Sequence, residues 1–417
     1  MEIDKSKSEY NEVALQLVTD PDNYDLWVKL LTAAENLNGG ICKKSSNDDI
    51  ALLYVSYKRF LDKFPLYEKF WIIFANWFFK LGQINQADLI FLNALKFIPS
   101  SVLIWENYLK FKILTVHNTD GIDRYKFIKR LFLKAELKIG LHYLSTDFWD
   151  LYLKFEEENN ENSADKKFQI YLILRKLIEL PIYGFSKYYE KFMNFLDLNL
   201  NLKDVSTYVT NKDLIKLGYT NQSLQLLLKK DSTNSDFSSD IPKILKDIKN
   251  KIKKIYTDLY ITVQYEVFKI YEFEKKIVHP YFHTTYLSKQ ELLIWESYLN
   301  YYELDTLNYT NFIVQNFHKK IQTIYERCLI STALYDKYWL RYANYYINLN
   351  EFENSKNILL RSIFHLPKTS IKVKLKLVLV ELYQKNYFRV NDIIIDLLSS
   401  FKNEIEIWVY FLNIQIL

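Results

Sequence analysis

An all-α superhelical solenoid, built from antiparallel helix pairs in two sub-arrays, is the fold the sequence predicts. Three observations carry it. The 417 residues contain only seven Gly and seven Pro, too little punctuation for many short strands joined by tight turns. Six of the eight tryptophans fall at near-regular intervals: 44, 34 and 44 residues separate Trp27, Trp71, Trp105 and Trp149, and 44 separate Trp295 from Trp339. Each of these, and Trp408, has a bulky residue three positions on: Leu30, Phe74, Tyr108, Tyr152, Tyr298, Tyr342 and Phe411. Five have an aromatic six positions on: Trp77, Phe111, Phe155, Tyr301 and Tyr345. Spacing of three to four is one face of an α-helix, so each Trp opens an amphipathic helix with an aromatic stripe.

In chain order, residues 1–19 are polar, mixed in charge and without the Trp signature, and read as an N-terminal tail. The first array, 20–196, opens with the Trp27 helix. Pro65 ends an apolar run before the Trp71 helix. The run Ile90-Phe91-Leu92-Asn93-Ala94 then supplies a second helix whose small Ala94 lets its neighbour approach. Pro99 stops it, and Ser100-Ser101 is an N-cap for the Trp105 helix. Leu131-Phe132-Leu133-Lys134-Ala135 repeats the second-helix pattern, and Ser145-Thr146-Asp147 caps the helix of Trp149. Ile170-Tyr171-Leu172-Ile173-Leu174 follows the same register with Leu at the small position, Pro181 stops it, and Tyr189 with Phe192 marks a degenerate fifth unit. Residues 197–242 lose the pattern, and Asp231-Ser232-Thr233-Asn234-Ser235-Asp236 reads as an exposed loop in an irregular linker. A long helix is expected from Lys243 to about Ile277. The C-terminal array, within 243–417, resumes at Trp295. Ile324-Tyr325-Glu326-Arg327-Cys328-Leu329 and Ile358-Leu359-Leu360-Arg361-Ser362-Ile363 are its second helices. Asp336 caps the Trp339 helix, Pro367 is a stop, and Trp408 opens one more first helix. Trp27, Trp71, Trp105, Trp149, Tyr152, Trp295, Tyr298, Trp339, Tyr342 and Trp408 are therefore the expected repeat core, because a helix pair cannot bury its aromatic face alone.

Composition excludes several functions. No two glycines have GxG spacing, so neither a dinucleotide fingerprint nor a P-loop can be written. Cys42 and Cys328 are too few for a disulfide framework or a Cys-based zinc site and fit a reducing compartment. The N-terminus is not a signal peptide, and the apolar stretch 70–79 is too short to span a bilayer. A net charge of +5 is mild for a dedicated nucleic-acid binder.

No catalytic, cofactor or metal site is expected. His279 and His283 have metal-pair spacing, but no carboxylate completes HExxH and Pro280 breaks a helix between them. His117, His142, His318 and His365 are scattered. Cys328 occupies the small packing position of a repeat helix and reads as core. Glu156-Glu157-Glu158 reads as a solvated helix end, and the tryptophans, which could stack bases, read as core from their periodicity. The one feature that packing does not absorb is the basic stretch at Lys243, Lys246, Lys249, Lys251, Lys253 and Lys254. Lys243, Lys246 and Lys254 share one helical side, joined by Lys251. This is either a solvated face or a docking face for RNA phosphate or an acidic protein segment.

Aromatic helix pairs with W-x-x-Y on the first helix and Ile324-Tyr325-Glu326-Arg327-Cys328 on the second resemble HAT (half-a-TPR) repeats. Further blocks resemble the pre-mRNA-processing factor 39/42 family. They are Phe64-Pro65 before Phe70-Trp71 with Leu81-Gly82 after it, Gly140-Leu141-His142, Phe148 to Glu156, Leu180-Pro181-Ile182, and Tyr281-Phe282-His283 ahead of Leu293-Ile294-Trp295-Glu296-Ser297-Tyr298-Leu299. Ile41-Cys42-Lys43 and Asn211-Lys212-Asp213 lean toward the factor 42 branch. The resemblance covers roughly residues 20 to 417.

It implies a nuclear, non-catalytic scaffold subunit of the U1 small nuclear ribonucleoprotein that acts in 5′ splice-site recognition. The implied partners are the U1-specific C protein, through the N-terminal array, and a homologous HAT-repeat chain or a second copy, through the C-terminal array. Any RNA contact would be indirect or to phosphate. A HAT scaffold of another RNA-processing complex, for 3′-end cleavage or ribosome biogenesis, is the alternative. An enzyme with a helical-repeat body would need a convergent polar constellation that the sequence does not contain. Relatives usually continue beyond this endpoint, and residues 405–417 are apolar almost throughout. Phe411 and Ile414 are thus expected either in a partner interface or at a truncated edge.

Overall fold

The computed structural model describes residues 2–117, 123–160, 163–199, 215, 218, 241–304, 314–367, 370–402 and 404–416. Among them are eighteen α-helices, one 3-10 turn and no strand. The helices are α1 (Glu2–Thr19), α2 (Tyr24–Glu35), α3 (Asn47–Lys63), α4 (Glu68–Lys80), α5 (Ile84–Phe97), α6 (Val102–Thr115), α7 (Arg124–Ile139), α8 (Thr146–Asn159), α9 (Ser163–Leu177) and α10 (Phe185–Asn199). After them come α11 (Ile241–Glu274), α12 (Lys289–Leu304), α13 (Val314–Ser331), α14 (Asp336–Asn348), α15 (Phe352–His365), α16 (Ile371–Tyr383), α17 (Tyr387–Ser400) and α18 (Ile405–Ile416). The loop expected at 231–236 and most of the expected linker lie outside the described residues.

Contacts group the chain into two compact units, Met1–Tyr67 with Lys276–Leu417, and Glu68–Lys275. This division differs from the sub-arrays read from sequence, because the first three helices group with the C-terminal repeats. The link within that unit is aromatic. Tyr67 stacks on Tyr24 at 5.1 Å between ring centroids, and Phe282 meets Tyr67 edge-on at 5.1 Å. The Tyr281-Phe282-His283 block therefore seats Phe282, which is buried, against rings contributed by residues 24–67. Burial pushes the Tyr67 hydroxyl up to about 12.

The polar tail expected at 1–19 is instead helix α1. Tyr10, Val13, Ala14 and Leu17 recur at helical spacing, Leu17 is buried, and the Tyr10 hydroxyl lies 2.8 Å from that of Ser56. Its apolar stripe is short and has no Trp, so the repeat signature alone does not find it.

Elsewhere the repeat logic holds locally. Trp71, Trp105, Trp149, Trp295 and Trp339 are buried, as are Tyr108, Tyr152, Tyr298 and Tyr342. The small positions Ala94, Ala135, Cys328 and Ser362 have no exposed surface, so each second helix presents a flat spot to its neighbour. The chain turns after α3, α5, α9 and α15 at Pro65, Pro99, Pro181 and Pro367. Ser101 caps α6 by accepting from the Ile104 N–H at 3.1 Å. Asp336 is not the cap of α14. It is the first helical residue, with Tyr335 before it, and its charge favours the helix N-terminus.

One device recurs that the spacing does not announce. The indole N–H of Trp27, Trp105, Trp339 and Trp408 donates to the backbone carbonyl six residues earlier: Pro21, Pro99, Ala333 and Lys402, at 2.9, 2.9, 2.9 and 3.1 Å. Each Trp thus ties its helix to the turn that delivers it, and at the buried Trp105 and Trp339 the bond also satisfies a polar atom that burial would otherwise orphan. Trp149 varies this, donating to the Gly140 carbonyl at 3.2 Å. A Cβ on Gly140 would lie 2.5 Å from the Glu136 carbonyl oxygen and 3.2 Å from the indole of Trp149, so that turn has room only for glycine.

Two tryptophans depart from the expected core. Trp27 is half-buried. Trp408 is 45% exposed, because among the described residues no helix packs over the outer face of α18. Glu156 also departs from the solvated face expected of it. It is fully buried, accepting from the Tyr125 hydroxyl at 2.8 Å with Lys129 Nζ 3.3 Å away, whereas Glu157 and Glu158 are exposed.

Candidate functional site

The Tyr325-Glu326-Arg327-Cys328 run on α13 gives each side chain a separate packing task. Tyr325 stacks on Tyr342 at 4.5 Å, and its hydroxyl donates to Glu303. Glu326 receives both Nη atoms of Arg361 at 2.8 Å, a bidentate bond joining α13 to α15. Arg327 lies 6.0 Å from the Trp295 ring centroid, and Arg361 lies 5.7 Å from that of Trp339. Burial pushes the Cys328 thiol up to about 12, which removes the thiolate a nucleophile needs. This cluster fixes the stacking of repeats and contains no reacting group in a nucleophile–base arrangement.

The histidine pair has a local explanation. Ser288 and Glu291 form a capping box at the start of α12, with the Glu291 N–H donating to Ser288 Oγ at 3.2 Å and the Ser288 N–H reaching Glu291 Oε2 at 3.4 Å. His279 Nδ1 lies 2.8 Å from Glu291 Oε1, while His283 Nδ1 accepts from the Thr285 N–H at 3.2 Å. Burial raises the Glu291 carboxyl, but hydrogen bonds from His279 and Ser288 outweigh it and hold the group below the usual range. Among the described residues no group of three or more His, Cys, Asp and Glu is disposed to hold a metal ion. His365 is stacked on Trp339 at 5.7 Å, and burial followed by the nearby Arg361 charge pushes it down to about 4. No described helix is long and apolar enough to cross a membrane.

A groove of about 900 Å³ lies among α12, α13, α14 and α16. Its charged lining is largely paired internally. Arg341 Nη2 donates to Glu303 Oε2 and to Asn300 Oδ1, each at 2.6 Å, and Lys337 pairs with Glu296. His318 Nδ1 lies 2.7 Å from the Tyr345 hydroxyl. Among the described residues that line it, no acid, base and nucleophile converge.

At the C-terminus, Phe411 is only partly exposed. It packs on the cluster of Val378, Val390 and Ile394, and Tyr410 on that of Leu375, Leu397 and Ile407. The side chain of Ile414 lies outside the described set. The open apolar face is made instead by Ile405, Trp408, Val409 and Leu412, which are 76, 45, 49 and 58% exposed and share one side of α18. The expected partner residue Phe411 is thus anchored inward, and its neighbours face out.

The basic stretch lies on the first half of α11. Lys249 Nζ donates to the Asp197 carbonyl at 3.0 Å, Lys253 pairs with the Asp197 carboxylate at 2.9 Å, and Lys251 pairs with Asp247 at 2.8 Å. Lys243, Lys246 and Lys254 are exposed on the side opposite the buried Ile248, Ile252 and Tyr256.

Comparison with known proteins adds to this geometry. Residues 11–194 match the PRP39 N-terminal HAT repeat family and residues 268–416 the PRP39 C-terminal HAT repeat family. The chain is similar to the U1 small nuclear ribonucleoprotein component PRP42 of Saccharomyces cerevisiae, with 31% identity over 406 residues, covering 95% of this chain and 68% of that protein. It is 30% identical over 359 residues to pre-mRNA-processing factor 39 of Schizosaccharomyces pombe, and 25% identical over 374 residues to that of Homo sapiens. These cover 81 and 86% of this chain, which spans only 52 and 51% of their length. A crystal structure of CSTF-77 superposes with a TM-score of 0.51 at 11% identity, covering 83% of this chain and 66% of that one, a likeness of fold alone.

Proposed function

Since the chain belongs to the PRP39/PRP42 family of HAT-repeat proteins, we propose that it is a scaffold subunit of the U1 small nuclear ribonucleoprotein, acting in 5′ splice-site recognition during pre-mRNA splicing. The observation that carries this is the extent of the likeness to PRP42. It runs through 95% of the chain, so both HAT regions and the segment between them take part, which a shared repeat signature alone would not produce. The alternative of another RNA-processing complex has no comparable support, because the likeness to CSTF-77 is one of fold.

In this reading the protein is nuclear and non-catalytic. It works by presenting surfaces, and its side-chain clusters serve to stack repeats. The N-terminal HAT region contacts the U1-specific C protein. The C-terminal region pairs with a homologous HAT-repeat chain or a second copy through the face of Ile405, Trp408, Val409 and Leu412. RNA is reached indirectly or at phosphate.

Deleting residues 20–196 would be a poor test, since α2 and α3 group with the C-terminal repeats. Chemical cross-linking of the intact chain bound to the C protein avoids this. Cross-links are expected to concentrate within 20–196. Cross-links confined to 243–417 would refute the assignment of that surface.

A further inference from the structure

Helix α11 has 34 residues and, at 1.5 Å per residue, is about 50 Å long. One face belongs to its own unit: Ile248, Ile252, Tyr256, Val263 and Ile270 are buried, and Tyr256 meets Phe192 edge-on at 4.9 Å. The opposite face is open along much of the helix and divides into two halves. The first carries the exposed Lys243, Lys246 and Lys254. The second carries Ile261, Tyr265 and Phe268, at 57, 60 and 61% exposure. At 100° per residue, positions 243, 246, 254, 261, 265 and 268 all fall on one side of the helix.

We propose that this face docks a protein segment in which an acidic run adjoins a short apolar helical stripe. Charge complementarity selects the acidic run, since residues 243–254 contain six Lys and one Asp, and Lys246 and Lys254 are exposed on this face. The spacing of Ile261, Tyr265 and Phe268, at i, i+4 and i+7, matches the anchor rhythm of an apolar helical stripe. The segregation of the halves argues against single-stranded RNA, which needs bases to stack where phosphates are neutralised. Between 258 and 276 the charges nearly balance, with Asp258, Glu266, Glu272 and Glu274 against Lys269, Lys275 and Lys276. Lys269 Nζ already sits 4.5 Å from the Tyr265 ring centroid, and Ile261 offers no ring. The inference rests on α11 alone and stands apart from the U1 assignment.

The test is fluorescence anisotropy with the full chain. The probe is a fluorescein-labelled peptide carrying five glutamates followed by leucines at i, i+4 and i+7, about 26 residues long so that a helix covers the roughly 38 Å from Lys243 to Phe268. Lys246→Glu with Lys254→Glu is expected to weaken binding at least about tenfold and to flatten its salt dependence. Tyr265→Ser with Phe268→Ser is expected to weaken it at least about tenfold with the salt dependence retained. Both variants alter exposed side chains, and unchanged circular dichroism will show that each is folded. The proposal is overturned if neither pair matters, or if only the lysines do, which would indicate unspecific charge attraction. It is also overturned if a uridine oligonucleotide of about the same length binds more tightly and loses affinity in the same variants.

Discussion

Trp149→Ala is expected to destabilise the unit formed by residues 68–275 by about 3–5 kcal/mol, whereas Trp408→Ala should cost less than about 1 kcal/mol. The two residues hold equivalent repeat positions, so the difference isolates burial. Trp149 is 1% exposed, meets Phe148 edge-on at 5.1 Å, stacks on Tyr152 at 6.3 Å, and donates its N–H to the Gly140 carbonyl. Truncation opens a cavity beside the Gly140 turn and removes the tie between α8 and that turn. The carbonyl keeps a second donor, Ser145 Oγ at 3.3 Å, so the loss is mainly one of packing. Trp408 has 45% of its surface in water and meets Phe411 edge-on at 6.3 Å. Urea unfolding followed by circular dichroism, with hydrogen exchange to assign the transition to its unit, measures both. Equal losses for the two variants would mean that α18 is covered as fully as α8.

The second large effect concerns association. Trp408→Asp together with Leu412→Asp is expected to weaken pairing through α18 at least about 100-fold, equivalent to roughly 2.7 kcal/mol. Both side chains lie on the open face of that helix, and a charge in the centre of an apolar interface is desolvated without a partner. Sedimentation velocity at roughly ten micromolar, a concentration that populates micromolar-affinity dimers, reads the outcome. The unaltered chain should sediment as a dimer, or as a one-to-one complex once its homologous HAT-repeat partner is added, and the double variant should do neither. A monomer in both conditions contradicts pairing through this face. Phe411→Asp would be less informative, because Phe411 supports the Val378, Val390 and Ile394 cluster and its loss would damage the fold as well.

Much of this architecture is legible in the sequence because aromatic residues in stacked helix pairs have few alternatives to burial. Five of the seven repeat tryptophans and the small residues Ala94, Ala135, Cys328 and Ser362 are buried, and both sets can be read from spacing. Three things are not legible. Helix α1 has a stripe of ordinary apolar residues without a Trp. The grouping of residues 1–67 with the C-terminal repeats depends on long-range ring contacts such as Tyr67 with Phe282, which no local period encodes. The fates of Trp408 and Glu156 are set by what packs over them. Periodicity assigns a face to a helix and says nothing of whether a neighbour arrives to cover it. The candidate surfaces are partly legible for the same reason. The lysine run stands out in composition, yet its continuation into Ile261, Tyr265 and Phe268 emerges only when α11 is seen to bury its opposite side.

Purification of the intact, tagged chain from nuclear extract of its own source, with the small nuclear RNAs quantified in the eluate, tests the scaffold assignment most directly. U1 RNA is expected to dominate the eluate, and U1 proteins to remain bound to the chain after nuclease treatment. An eluate in which U1 RNA is no more enriched than the other small nuclear RNAs would contradict the assignment.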